Sequence, residues 1–137
     1  MMNTTLYRPI GLKELQLILN MEFKKFPPRL TWQPIFYPVM NQKYAEQIAF
    51  EWNTNDEFSG YCGIVTQFNL PTEYLKKYEI QNVGDKFHNE LWIPSEELEE
   101  FNNQIIGQIE IVKVFLGKQF DSSKTDDATK TAFNHGK

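Results

Sequence analysis

The amino-acid sequence predicts an α+β fold, because short strand patterns and short helix patterns alternate along its 137 residues. Hydrophobic residues make up 41% of the chain and aromatic residues 15%, which is enough to form one core. Large apolar side chains become scarce after residue 117, where Ser, Thr, Lys, Asn and Asp dominate. We therefore expect one domain over residues 1–117 and a flexible polar tail over residues 118–137.

The first half of the domain shows a strand, a helix, a second strand and a second helix. Residues 6–10 predict the first strand, and Pro9 places it near a sheet edge. Apolar residues at helical spacing predict a helix over residues 12–19. Paired prolines exclude a regular helix over residues 26–34, and residues 35–40 predict a strand. Asn41 is a typical N-cap for a helix whose apolar stripe extends to residue 52.

Strands and helices continue to alternate in the second half, after a polar loop at residues 53–60. Residues 61–70 and 87–93 alternate between apolar and polar side chains and predict two strands. Ser95 follows a proline and predicts the start of a helix, which Gly107 ends. Residues 109–116 predict the last strand.

Charge and composition exclude several classes of protein. The chain has 14 Lys and Arg against 18 Asp and Glu, so DNA binding is not expected. No apolar run approaches the roughly 18 residues needed to cross a bilayer, and the first residues lack a signal-peptide pattern. We expect a cytoplasmic protein that does not enter membranes. Cys62 is the one cysteine, so an intrachain disulfide and a cysteine zinc cluster are excluded, and a buried thiol is expected.

Motifs for phosphate cradling and for a serine nucleophile are absent from the sequence, and the two histidines are far apart. We expect no metal site. The strand at residues 87–93 stands out, because period 2 places His88, Glu90 and Trp92 on one face. A carboxylate there can stabilise a developing cation, and an aromatic ring can stack on a flat ligand. The alternative is a solvated strand face with one acidic residue.

Arg8 shares a face with Leu6 and Ile10, where an always-charged guanidinium needs partners. Two roles are open: an ion pair with a carboxylate such as Glu90, or binding of a phosphate or ribose. Tyr37 on the next strand fits a core or hydrogen-bonded anchor better than a ligand contact.

Three stretches resemble the ADP-ribosyltransferase-like superfamily. Residues 90–94 are similar to its strand with a catalytic Glu, three apolar residues and Pro, and residues 6–8 resemble its first strand, whose Arg or His contacts NAD. Residues 35–37 and 44–49 resemble its middle strand and the following helix. Residues 6–116 also resemble a family of short bacterial proteins loosely named "ADP-ribosylation/crystallin J1", most recognisably at residues 26–29 and 33–38.

The resemblance implies a split, mostly antiparallel sheet with NAD in the cleft between its halves. It implies that Arg8 holds the adenosine ribose or phosphate and that Tyr37 or Trp92 stacks on nicotinamide. We expect His88 to take part in binding the cofactor as well. Glu90 would then bind the ribose 2′-hydroxyl and stabilise the oxocarbenium-like transition state of ADP-ribosyl transfer to an unknown acceptor. The alternative is a non-catalytic module on the same fold that binds a nucleotide or a protein partner.

Overall fold

The computed structural model describes residues 2–136 and has an α+β fold with mostly antiparallel sheets and short helices. The strands are β1 (Asn3–Ile10), β2 (Ile35–Phe36), β3 (Cys62–Pro71), β4 (Ile80–Asn82), β5 (Asn89–Leu91), β6 (Ile93–Pro94) and β7 (Ile106–Leu116). The helices are α1 (Leu12–Asn20), α2 (Gln42–Glu51), α3 (Thr72–Leu75), α4 (Leu98–Gln104) and α5 (Asp127–Phe133).

The main sheet has the order β1-β3-β7, with antiparallel neighbours. Two short antiparallel pairs, β2-β6 and β4-β5, complete the strands. Val39 joins these parts, because it forms single bridges to Tyr7 on β1 and to Glu90 on β5. The outer edge of β1 is therefore paired at Tyr7 and left open beyond it, toward Ile10.

The two faces of the main sheet carry different hydrophobic clusters. One face packs Leu6, Ile10 and Phe68 against α1, α4 and the segment around Phe26. The other face packs Val65 against the buried side of α2, where Ala45 is fully enclosed. The central strand β3 is buried on both faces for this reason, although its alternation predicted one apolar face.

Several predicted elements are confirmed in type and position. Asn41 caps α2 as expected, because its Oδ1 accepts the Tyr44 N–H at 3.3 Å. The strand predicted over residues 35–40 is shorter than expected, because regular pairing stops at Phe36 and resumes as a single bridge at Val39. The strand predicted over residues 87–93 divides at Trp92 into β5 and β6.

The C-terminal segment differs from the predicted polar tail. It contains α5, in which Ala132 and Phe133 are 4% and 5% exposed and belong to the main core. Asp126 caps this helix by accepting the Thr129 N–H at 2.8 Å. The domain therefore extends past residue 117. Lys137, the last residue of the predicted tail, lies outside the described residues.

Across residues 2–136, helices are too short and too polar for any of them to span a membrane.

Candidate functional site

A cleft of about 700 Å³ opens beside the free end of β1. Its wall includes residues from α1, from α2 and its following turns, and from the proline-rich segment at residues 27–33. Side chains from both faces of the sheet reach this wall because the cleft curves around the unpaired edge of β1. Arg8, Tyr37 and Glu90, three of the predicted site residues, all line it.

Arg8 is 9% exposed and is held by an ion pair. Its Nε lies 2.7 Å from Glu14 Oε2, and its Nη2 lies 2.9 Å from Glu14 Oε1. The guanidinium also stacks over the Phe36 ring, 4.6 Å from the ring centroid. The predicted ion-pair role is thus confirmed, but the partner is Glu14 at the start of α1 and the suggested pairing with Glu90 is wrong.

Glu90 is a buried carboxylate, 8% exposed, with a donor on each oxygen. Oε1 accepts the Trp92 indole N–H at 2.7 Å, and Oε2 accepts the Tyr44 hydroxyl at 3.1 Å. Burial and the charge of Glu90 raise the pKa of Tyr44 to about 12, so the tyrosine remains a donor at neutral pH. Each carboxylate oxygen keeps a second lone pair for a ligand in the cleft.

Arg8 and Glu90 approach the cleft from opposite faces of the sheet. Tyr7, Val39 and Glu90 stand opposite one another across neighbouring backbone segments, so their side chains share the face covered by α2. Arg8 follows Tyr7 and therefore points to the other face, where Phe36 and Glu14 meet it.

His88 and Trp92 lie outside the cleft wall. His88 stacks on Tyr44, with ring centroids 4.5 Å apart. Its Nδ1 accepts the Asp85 N–H at 3.2 Å, which leaves the hydrogen on Nε2 to donate to Gln47 Oε1 at 3.1 Å. Because Glu90 is buried, the alternative of a solvated strand face is wrong for it. His88 packs against Tyr44 and does not line the cleft.

Tyr37, which lines the cleft, forms an aromatic pair with Trp92, which donates to Glu90 from outside the cleft wall. Their rings meet edge to face with centroids 6.4 Å apart, and the two side chains are 41% and 43% exposed. Of the two roles expected for Tyr37, core residue or hydrogen-bonded anchor, the core role is wrong, because its neighbour Phe36 takes the buried position. Tyr37 is instead one of the residues that line the cleft.

The charges of the cleft wall balance. Three cations and three carboxylates line it: Arg8, Lys13, Arg29, Glu14, Asp56 and Glu90. Burial and the neighbouring Arg8 lower the pKa of Arg29, whose Nε donates to the Ile35 carbonyl at 3.1 Å. A ligand in the cleft therefore meets mixed polar groups and much apolar surface.

Sequence reasoning missed Tyr44 and Glu14, which hold the two charged residues. Glu14 was detectable, because it follows Arg8 by six residues across a strand-to-helix turn. Tyr44 was assigned to the core stripe of α2, and its partner lies 46 residues away. Cys62 is fully buried as expected, and burial raises the pKa of its thiol to about 12.

Within the described residues, His, Cys, Asp and Glu side chains do not form a group of three or more suited to a metal ion. No family model, curated protein or solved structure matches this chain.

Proposed function

We propose that the cleft binds NAD and that the protein transfers ADP-ribose from it to an acceptor, on an ADP-ribosyltransferase-like domain. The observation that carries this proposal is the Glu90 carboxylate, buried in a largely apolar cleft and held by two side-chain donors. A fixed carboxylate in a water-poor site stabilises a positive charge that develops nearby during a reaction.

In the proposed step, the bond between nicotinamide and C1′ of its ribose breaks, and its electron pair leaves with nicotinamide. The ribose then carries an oxocarbenium-like charge until an acceptor nucleophile attacks C1′ and loses a proton. Glu90 accepts a hydrogen bond from the ribose 2′-hydroxyl and faces the developing charge. Tyr37, with its ring at the cleft wall, supports stacking on a flat ring.

Arg8 has a narrower role in this proposal than the resemblance implies. Two of its five N–H donors are used on Glu14, so the remaining donors on its Nη atoms are the ones left for a phosphate oxygen. Because Glu14 offsets its charge, Arg29 and Lys13 become the stronger sources of positive potential in the cleft.

The second candidate is a non-catalytic module that binds a nucleotide or a protein partner in the same cleft. The Arg8–Glu14 ion pair favours the form of this candidate that binds a protein partner, because a neutralised arginine contributes less to phosphate binding than a free one. The balanced charge of the cleft wall favours it for the same reason.

The test combines calorimetric titration with NAD and a chromatographic assay for released nicotinamide. Glu90→Gln keeps the shape and removes the charge. Its amide oxygen can still accept the Trp92 indole N–H, and its NH2 group can donate to the Tyr44 hydroxyl oxygen, so we expect NAD binding to change little. Nicotinamide release should fall by about 100-fold or more. Glu99→Gln, an exposed carboxylate on α4, is the matched control and should behave as the wild type.

Three results decide between the candidates. Loss of release in Glu90→Gln alone supports the transferase. Saturable NAD binding with no release above the uncatalysed rate supports the binding module. Absence of NAD binding at millimolar concentration contradicts both the transferase and a module that binds NAD.

A further inference from the structure

The part of the cleft beside Gly11, just past the end of β1, is built by the turns that follow α2. Glu90 lies elsewhere, next to Val39, which bridges to Tyr7 on β1. Asn53 Nδ2 donates to Ser59 Oγ at 3.0 Å, and Ser59 Oγ donates to Asp56 Oδ2 at 2.6 Å. We call Asn53, Asp56 and Ser59 the acceptor cluster, and all three line the cleft. Gly11 lets this cluster approach β1, because a Cβ there would lie 2.6 Å from Ser59 Cα.

The acceptor cluster offers mainly acceptors to a ligand. Ser59 has one hydroxyl hydrogen, and it is already used on Asp56. The second carboxylate oxygen of Asp56 remains available at the cleft. Asn53 is 4% exposed, and its Oδ1 has no hydrogen-bond partner among the described residues. That oxygen is itself shielded from solvent, so Asp56 is the acceptor that a ligand can reach. The site is therefore suited to a ligand that brings N–H donors to Asp56.

Two exposed aromatic side chains flank the acceptor cluster. Trp52 and Phe58 line the same part of the cleft and are 59% and 73% exposed. Large aromatic surfaces left open at the mouth of a cleft are available to stack on a planar group. Acceptors beside open ring faces therefore favour a planar ligand with hydrogen-bond donors on its edge.

The charge of the cleft distinguishes between planar donors. A guanidinium is planar and rich in donors, but it carries a full positive charge into a wall whose cations and carboxylates already balance. A neutral heteroaromatic ring gains the stacking and the hydrogen bonds without adding a charge to this balanced wall. The neutral ring is therefore favoured.

We propose that the acceptor cluster, with Trp52 and Phe58, binds a neutral heteroaromatic ring that carries an exocyclic amine, such as adenine. The amine donates to Asp56, and the ring stacks on the flanking aromatic side chains. This inference rests on nucleotide binding in the cleft as proposed above, but it does not depend on catalysis by Glu90. It assigns the base of the nucleotide to the part of the cleft beside Gly11.

The test compares adenosine monophosphate with inosine monophosphate by calorimetry or NMR titration. The two probes differ at one edge of the base, where inosine replaces the amine with a carbonyl oxygen and carries a hydrogen on N1. Asp56 accepts and cannot donate, so at the position of the amine the carbonyl oxygen of inosine would face a carboxylate. We therefore expect the inosine nucleotide to bind about tenfold more weakly or worse.

Asp56→Asn provides the sharpest variant, because its Oδ1 still accepts the Ser59 hydroxyl while its amide group can donate to the cleft. This change should lower the preference for the adenosine nucleotide and raise affinity for the inosine nucleotide. Asp127→Asn, on α5, is the matched control and should keep the wild-type preference.

Trp52→Ala tests the stacking. It should weaken both nucleotides about tenfold. Phe50→Ala is its control, because Phe50, on the last turn of α2, is also an exposed aromatic residue, 61% exposed, but lies outside the cleft wall. Equal weakening by both variants contradicts a stacking role for Trp52.

Other outcomes overturn the proposal. Equal affinity for the two nucleotides in the wild type refutes recognition of the amine, and so does an unchanged preference in Asp56→Asn. Binding of agmatine, a guanidinium probe, that Asp56→Asn abolishes while nucleotide binding stays intact assigns the site to a cation instead. Glu90→Gln separates this inference from the catalytic proposal, because it should keep the adenosine nucleotide and lose nicotinamide release.

Discussion

Replacing Trp92 with phenylalanine tests whether the Glu90 carboxylate depends on its side-chain donors. The change removes the indole N–H that Glu90 Oε1 accepts at 2.7 Å and keeps an aromatic ring in place. Because Glu90 is 8% exposed, water has little room to replace the lost donor on the carboxylate. A hydrogen bond to a charged group contributes about 1.5–3 kcal/mol. Trp92 itself is 43% exposed, so we expect the lower end, a loss of about 1.5 kcal/mol in the free energy of unfolding.

The same substitution in a Glu90→Gln background isolates the contribution of the charge. A neutral amide oxygen gains less from the indole N–H, about 0.5–1 kcal/mol. The double-mutant cycle should therefore give a coupling free energy of about 0.5–1 kcal/mol between residues 90 and 92.

Urea unfolding followed by circular dichroism measures all four proteins under one buffer condition. Trp32→Phe is the control, because that indole is 69% exposed in the proline-rich segment, and its replacement should cost less than about 0.5 kcal/mol. The reasoning is refuted if Trp92→Phe is as mild as Trp32→Phe, or if its cost is the same with Gln at position 90.

Two further predictions concern the C-terminal helix and the buried thiol. Phe133→Ala should lower the free energy of unfolding by about 3–5 kcal/mol, and a loss as small as that of the exposed Lys130→Ala control would contradict its place in the core. Cys62 has a folded pKa of about 12 against an ordinary value of 9.0, so unfolding releases its proton between these pH values and stability falls as pH rises. Cys62→Ala should reduce that slope by about 1.4 kcal/mol per pH unit, and an unchanged slope would show that the thiol ionises without unfolding.

The sequence predicts best what short segments determine by themselves. Asn41 and the spacing of the residues after it define α2, because capping and amphipathic periodicity act within about two turns. The same pattern wrongly predicts that the buried stripe includes Trp52. This residue is exposed, because the helix ends at Glu51.

The C-terminal helix was missed because composition averages over a whole segment. Residues 118–136 are mostly polar, yet Phe133 needs a single apolar recess to become buried, and Phe120 lies beside it with ring centroids 5.9 Å apart. A local signal was present, since Asp126 stands three residues before Thr129 in a typical N-cap position.

The candidate site was half predictable. Period 2 placed Glu90 and Trp92 together, and the indole does donate to the carboxylate even though the strand divides between them. The link from Glu90 to Tyr44 depends on how α2 packs over the sheet, which no local pattern encodes. The choice between Glu14 and Glu90 as partner for Arg8 likewise depends on which face of the sheet each carboxylate occupies.

The position of the cleft follows from where pairing of β1 stops. Tyr7 exchanges both backbone hydrogen bonds with Val39, at 2.9 and 2.7 Å, so its N–H and carbonyl point to the outer edge of the strand. Alternation directs the backbone groups of Pro9 to that same edge, where proline has no N–H to offer a further strand. Because the ladder ends there, side chains from both faces meet around the open edge: Arg8 and Glu14 from one, Glu90 from the other. A residue with an N–H in place of Pro9 could form a further backbone hydrogen bond with the segment that precedes Val39. Such pairing would narrow the cleft in which the proposed ligand lies.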